Sequence, residues 1–488
     1  MIDLHFALAH AAQKVGAPNS TVASHFLAAE SLDPDAAIDA CRLAASDATR
    51  VGAHADSAEW LSQALAIARD RNDALALEIS IEYADALRLS GDPSHVDKLV
   101  SAIQRALRHG NDELIAGAAF ALLQLGGTTG LGDSDSVVGK YAHLAMEAIV
   151  DPELRSRVDA AASLAWSMSG NEQRCAEMFE RAEKAAITSQ ARRQVLPFAY
   201  LALGHPKDLG SRRILSEELV ELAREANDPV AMFEATHLKF STHLQHGEGH
   251  LMRRSSDEMK TLISRVGDVG RRWATLYCSA AVAHIDGNDE LCEKRSDEAF
   301  AIFSPVAPER AYAVYGSQLL PLRLGQGRLG ELRDILADMV SDQSLVTAWH
   351  SAFALALAVD EPDTSARELA SIHIRAALDN SQRDFTWLSG QVITASAAAL
   401  IRNQALIEEC LVELEPWAHL VAWQGTCSYG PVAHVLAMLY SAANDVENAR
   451  RYLEQGNGLA ESLGTPPEVT EQRLDLAFRS LVPCGRTR

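Results

Sequence analysis

A small residue, a large apolar one about four places on, and a second small one about three further recur along this chain. The pattern stands at Ser57, Leu61, Ala64; at Leu99, Ile103, Ala106; at Cys175, Phe179, Ala182; and at Ser216, Val220, Ala223. It resumes at Cys292, Ser296, Ala299 and at Ala370, Ile374, Ala377, and closes at Ala449, Leu453, Gly456. Copies return every ~36 to 42 residues, or at about twice that, which is the period of stacked helix pairs. The spacing has a physical cause. Helices approach closely only where Ala, Gly, Ser or Cys faces the neighbouring backbone, while a larger residue one turn away fills the groove. The expected fold is therefore all-α: a tetratricopeptide-like solenoid of helical hairpins, a right-handed superhelix of about ten to twelve pairs. Such an array grows by addition, so 488 residues need not split into the three domains that length alone suggests.

Helix boundaries are written in the same local code. Asp33-Pro34, Asn72-Asp73, Asn111-Asp112, Asp151-Pro152, Asp228-Pro229, Asn288-Asp289 and Asn444-Asp445 each place a side-chain oxygen before free backbone amides. The prolines fall where a first-turn N–H is not needed. Gly91, Gly110, Gly170, Gly204, Gly247, Gly287, Gly327 and Gly464 lie near the expected helix ends, as left-handed caps. No stretch alternates apolar and polar residues long enough to propose a sheet. Repeats around Met146, Leu262 and Ala337 are the weakest matches to the pattern, and joints are expected at 126–136, 205–211, 304–309 and 360–365.

Composition excludes several classes. Apolar residues make up 48% of the chain and aromatics 6%, enough for a buried seam. Sixty-six acids against 44 Lys and Arg give a net charge of −22, dispersed along the length, which argues against direct contact with nucleic acid. No run approaches the ~18 apolar residues of a membrane span, and the start, Met1-Ile2-Asp3-Leu4-His5, has no basic leader, so the expected location is cytoplasmic. The seven cysteines form no CxxC pair and mostly occupy small-residue positions, which speaks for packing rather than disulfides or zinc.

Searching for chemistry assigns no catalytic, cofactor-binding or metal-ligating residue. The glycine-rich piece Gly126 to Gly132 has the wrong spacing for a phosphate loop, and Gly139-Lys140 is followed by Tyr141 where a hydroxyl for magnesium would be required. His237, His243, His246 and His250 gather around Glu248 without a metal-site spacing. Gly425 to Gly430, with Cys427 and Ser428, lacks the nucleophile-elbow spacing and reads as an interhelical corner before Pro431. Neighbouring acids such as Glu408-Glu409 and Glu217-Glu218 diverge by about 100° around a helix and cannot flank one bond. Seven tryptophans, Trp60 to Trp423, are read chiefly as fillers between helix pairs.

The run Val22-Ala23-Ser24-His25-Phe26-Leu27-Ala28-Ala29, with Ala37 to Ala44 and Ala58 to Ala68, resembles the start of the tetratricopeptide region in large bacterial signal-transduction ATPases. The far end is similar too: Tyr429 to His434, Ala449-Arg450, Ala460 to Pro467 and Arg473 to Ala477 look like that region's closing repeats. The family includes LuxR-type regulators of the maltose-activator kind and adenylate cyclases with an ATPase and repeat module. No phosphate loop, cyclase domain or DNA-binding helix-turn-helix is found here, so no catalytic residue carries over. In the family the repeat arm receives an inducer or a partner protein. The resemblance thus implies a non-enzymatic interaction or effector-sensing module in bacterial signal transduction or transcription regulation, with a protein or small effector in a concave groove. The alternative is the separated sensor arm of such a regulator or cyclase, its ATPase encoded elsewhere. On this reading residues 1–35 are junction helices, 36–480 the repeats and 481–488 a frayed tail.

Overall fold

A computed structural model describes residues 1–69, 71–124, 136–266, 268–342, 347–359 and 362–478. The fold is all-α: 25 α-helices succeed one another among these residues, with one two-stranded hairpin. The capping code holds at each of the seven starts named above; Asp33, for example, accepts from Ala36 N at 2.9 Å and Asn72 from Ala74 N at 3.0 Å. Such bonds satisfy amides that the first turn leaves free. Gly110 and Gly464 close their helices at φ +65° and +79°. Gly204 is a correction: it has no left-handed cap. An added Cβ there would lie 2.7 Å from Phe385 Cα and closer still to its nitrogen, so this glycine exists for close approach of two backbones. The tail 481–488, with Cys484, and the piece Gly126 to Gly132 lie outside the described residues.

The chain forms two compact units. The first comprises Met1–Ala202, Arg265–Arg272 and Ile302–Arg310; the second comprises Leu203–Ser264, Trp273–Ala301 and Ala311–Arg488.

In the first unit successive helices pack as neighbours. Leu99, Ile103 and Ala106 on the helix His95–His109 are fully buried, as the recurring pattern requires. On Glu172–Ala185 the buried large residue is Met178 rather than Phe179, one place earlier than expected. The same shift recurs in the second unit, where Leu219 rather than Val220 is buried. Residues three and four apart share a helix face, so a one-place ambiguity is inherent in the spacing.

Asp159 lies on the helix Pro152–Met168 with its side chain fully buried. Arg181 Nη2 stands 3.1 Å from its Oδ1, yet neither carboxylate oxygen receives a well-aligned hydrogen bond. Burial outweighs the attraction of Arg181 and Arg155 and raises the carboxyl from 3.8 to about 6. Between about pH 4 and about 6 the folded chain therefore holds more protons than the unfolded one, and stability falls as pH rises through that window. Asp159→Asn is expected to flatten this slope. Denaturation midpoints of the two proteins at pH 4.5 and 7 check it, and parallel pH profiles would count against the assignment.

The second unit departs from nearest-neighbour stacking. The helix Val446–Leu463 lies against the helix Gly249–Val266: Ser462 Oγ donates to Gly247 O at 2.7 Å, and Arg253 donates to Leu463 O across 210 residues of sequence. The helix Pro467–Phe478 lies against the end of Val269–Ile285, where Arg473 Nη2 donates to His284 O at 2.6 Å. A simple solenoid repeat touches only its neighbours. Here residues 108 to 215 apart in sequence are hydrogen-bonded, so the unit closes on itself.

The hairpin is a further correction. Strand β1, Val421–Trp423, pairs antiparallel with β2, Ser428–Pro431, through Val421 with Pro431, Ala422 with Gly430 and Trp423 with Ser428. The corner expected at Gly425 to Gly430 is its turn and the first part of β2, with Gln424 N donating to Cys427 O at 3.1 Å and Gly425 at φ +103°. Strands of three and four residues are too short to display a period of two. All three β1 residues are buried, which removes the alternation that a half-exposed strand would show. The helix Pro308–Gly325 holds the turn: Gln318 Nε2 donates to Thr426 O at 3.1 Å, and the Ser317 and Thr426 hydroxyls lie 3.0 Å apart.

Candidate functional site

Closure of the second unit leaves a cavity of about 470 Å³. Its walls come from distant parts of the sequence: Ile285 at a helix end, Leu324 and Leu329, Val392 and Leu400 on Trp387–Ile401, Tyr429 on β2, and Leu463 and Leu476 on the last helices. Volumes of this order suit small organic ligands, whose pockets are mostly apolar with a few placed polar groups.

Several of the polar groups here are held by partners of their own. His434 Nε2 stands 3.0 Å from Asn457 Oδ1, and burial lowers the ring's affinity for a proton. Gly456 lies close against that ring, with no room for a Cβ. Ser428 Oγ donates to Ala422 O at 3.4 Å and accepts from Gly430 N at 3.2 Å. His284 is buried, and desolvation together with the nearby Arg473 guanidinium keeps it well below the usual imidazole range. Arg473 is the one charged residue in the described lining, and no Asp or Glu faces the cavity. Its Nη2 holds the His284 carbonyl and lies 3.3 Å from His284 Nδ1. Its Nε and Nη1 make no hydrogen bond among the described residues.

Of the residues weighed from sequence, Ser428 and Gly430 line the cavity; the others go elsewhere. His237 Nε2 lies 3.1 Å from Tyr277 OH, and burial lowers the ring to about 4. His243 Nδ1 stands 2.7 Å from Glu248 Oε2, Arg213 pairs with the same carboxylate at 2.7 Å, and His250 is exposed. These four rings do not converge, and no group of three metal-ligating side chains is found among the described residues. The Cys427 thiol is buried and pushed up to about 12 by desolvation, so it is protonated at neutral pH and a poor nucleophile. Glu409 pairs with Arg375 at 2.8 Å while Glu408 accepts from Gln404, which turns the two carboxylates to different partners. Trp166, Trp273, Trp387 and Trp423 are buried and the other three tryptophans half-buried, so they fill space between helices.

Sequence reasoning did not single out Arg473 or His284 as a pair. They stand 189 residues apart, and an arginine on an amphipathic helix carries no mark that it turns inward.

No protein-family model and no curated protein sequence matches the chain. Among solved structures, the human IFIT1 dimer with PPP-AAAA is similar over 94% of this chain and 91% of that one, at 15% identity and a TM-score of 0.38. Yeast Tom70 is similar over 98% and 95%, at 12% identity and a TM-score of 0.29. A circular tandem repeat protein with novel repeat topology covers 96% of each chain at 14% identity and a TM-score of 0.16. Likenesses this distant carry no argument about what the present chain binds.

Proposed function

We propose that the chain is a non-enzymatic, ligand-sensing helical-repeat module that takes a small, largely apolar effector into the cavity of its second unit. The single observation that carries this reading is the cavity itself, about 470 Å³, walled by the hairpin and by helices that meet only in the tertiary fold. A ligand there would touch helix ends, β2 and the last two helices at once. Its binding energy would therefore bear on how firmly the C-terminal helices are docked, which is what a sensor needs to pass a state to a partner. The resemblance at both ends of the chain to the repeat arm of bacterial signal-transduction ATPases supports a place in signal transduction or transcription regulation. It also favours a second reading, that the chain is the sensor arm of an ATPase acting in the same polypeptide or in trans.

Titration of the full chain with the neutral fluorophore N-phenyl-1-naphthylamine tests the first reading. Saturable binding at one site, lost in Ser396→Phe and Ala477→Phe, is the expected result, since both positions line the cavity. The absence of saturable binding to the folded wild-type chain, or undiminished binding in both filled variants, would overturn it.

A further inference from the structure

We infer that the effector is a small amphipathic monocarboxylate whose head pairs with Arg473 while its apolar body fills the space beside Val392, Leu400 and Met438. This rests on the cavity-binding reading and specifies its ligand. The first support is charge. A chain with 66 acidic and 44 basic residues has placed no acid in the described lining of this mostly apolar cavity, and one guanidinium. Arginine keeps its charge in proteins, and a charge removed from water is costly unless it is paired. Arg473 forms no ion pair among the described residues, and the opposite charge that acts on it most, Asp289, acts through space.

The second support is geometry. Of the guanidinium's nitrogens only Nη2 is occupied, by the His284 carbonyl at 2.6 Å and His284 Nδ1 at 3.3 Å. Nε and Nη1 are left, on opposite sides of the fork, so a carboxylate would take a single charge-assisted N–H···O bond from one of them. The bond to His284 also fixes the orientation of the fork before any ligand arrives, and a group held in advance loses little freedom on binding. The third support is the remainder of the lining, where aliphatic side chains dominate and, among the hydroxyl and imidazole groups, Ser396, Ser428 and His434 already have partners. A polyhydroxylated ligand would set many of its hydroxyls against aliphatic walls there, whereas one head and one apolar body suit them.

Arg473 also ties two helices together, so loss of binding in a variant would not by itself separate a ligand role from a structural one. The test is therefore a selectivity. Decanoate and 1-decanol, of equal chain length, are titrated by calorimetry at pH 8 into the full-length wild-type chain and into Arg473→Gln and Arg473→Lys. Wild type is expected to prefer decanoate about tenfold to a hundredfold, the span of a charge-assisted pair. Arg473→Gln, which keeps a donor for His284 O, is expected to abolish the preference while still binding decanol, and Arg473→Lys to restore part of it. Equal affinity of wild type for acid and alcohol, or an undiminished preference in a folded Arg473→Gln, overturns the inference and leaves the cavity-binding reading standing. If neither compound binds wild type, that reading fails and takes this one with it. Should Arg473→Gln not fold, the wild-type preference alone decides.

Discussion

Gly249→Ala is expected to lower the stability of the second unit by about 3 kcal/mol, although it adds a single methyl group at the start of a helix. That Cβ would lie 2.7 Å from Leu463 Cα and closer still to Leu463 O. These are backbone atoms at the end of Val446–Leu463, and they cannot rotate aside as a side chain would. The helices must part, and with them the bonds from Ser462 to Gly247 O and from Arg253 to Leu463 O. Gly458, on the partner helix, offers a control: an added Cβ there meets nothing within 4 Å. Gly458→Ala is expected to be neutral or stabilising by up to about 1 kcal/mol, because alanine loses less backbone freedom in a helix than glycine. Urea unfolding of the pair, with limited proteolysis to detect release of the C-terminal helices, decides the matter. Two substitutions of the same sign and size would contradict the packing described here.

The largest effect is expected from Trp387→Ala, at about 4 kcal/mol. Trp387 begins the helix Trp387–Ile401, is 4% exposed, and meets Trp417 edge-on with ring centroids 6.4 Å apart and the His205 ring at 4.7 Å. Removing the indole leaves a cavity at a point where three segments of the second unit converge, and backbone held by Asp384 cannot collapse into it: Asp384 accepts from Thr386 N at 2.8 Å and from its hydroxyl at 2.7 Å. Trp417→Ala is expected to cost clearly less, because Trp417 is half-buried and part of its surface already meets water. Thermal or urea denaturation of the two variants gives the comparison, and a loss below about 1 kcal/mol for Trp387→Ala would show that the site relaxes freely.

Both effects arise at residues whose importance is hard to see in one dimension. Gly249 stands beside Gly247, and nothing in Gly247-Glu248-Gly249 distinguishes the left-handed cap, Gly247 at φ +74°, from the glycine needed for close approach. The same ambiguity led Gly204 to be read as a cap. The row of glycine caps at 247, 287 and 327 illustrates the point more generally: each is visible as a helix end, yet each also seats a side chain of the last two helices, Leu459, Val469 and Leu476.

The amino-acid sequence by itself determined the helices, their caps and the small residues at which neighbours meet. These depend on groups within about four residues of one another, through i to i+4 hydrogen bonds and the 3.6-residue turn. Asp33, Asn72, Asn111 and Asp151 cap where they stand because the amides they satisfy are two or three places away. Only the tertiary structure decided the hairpin at 421–431, the closure of the second unit, and the cavity with Arg473 inside it. The anchoring of the hairpin turn and the closure depend on contacts across 108 to 215 residues, such as Gln318 with Thr426 and Ser462 with Gly247. Pairings of that length are selected by shape and burial once the helices exist, and neither leaves a periodic trace in the chain.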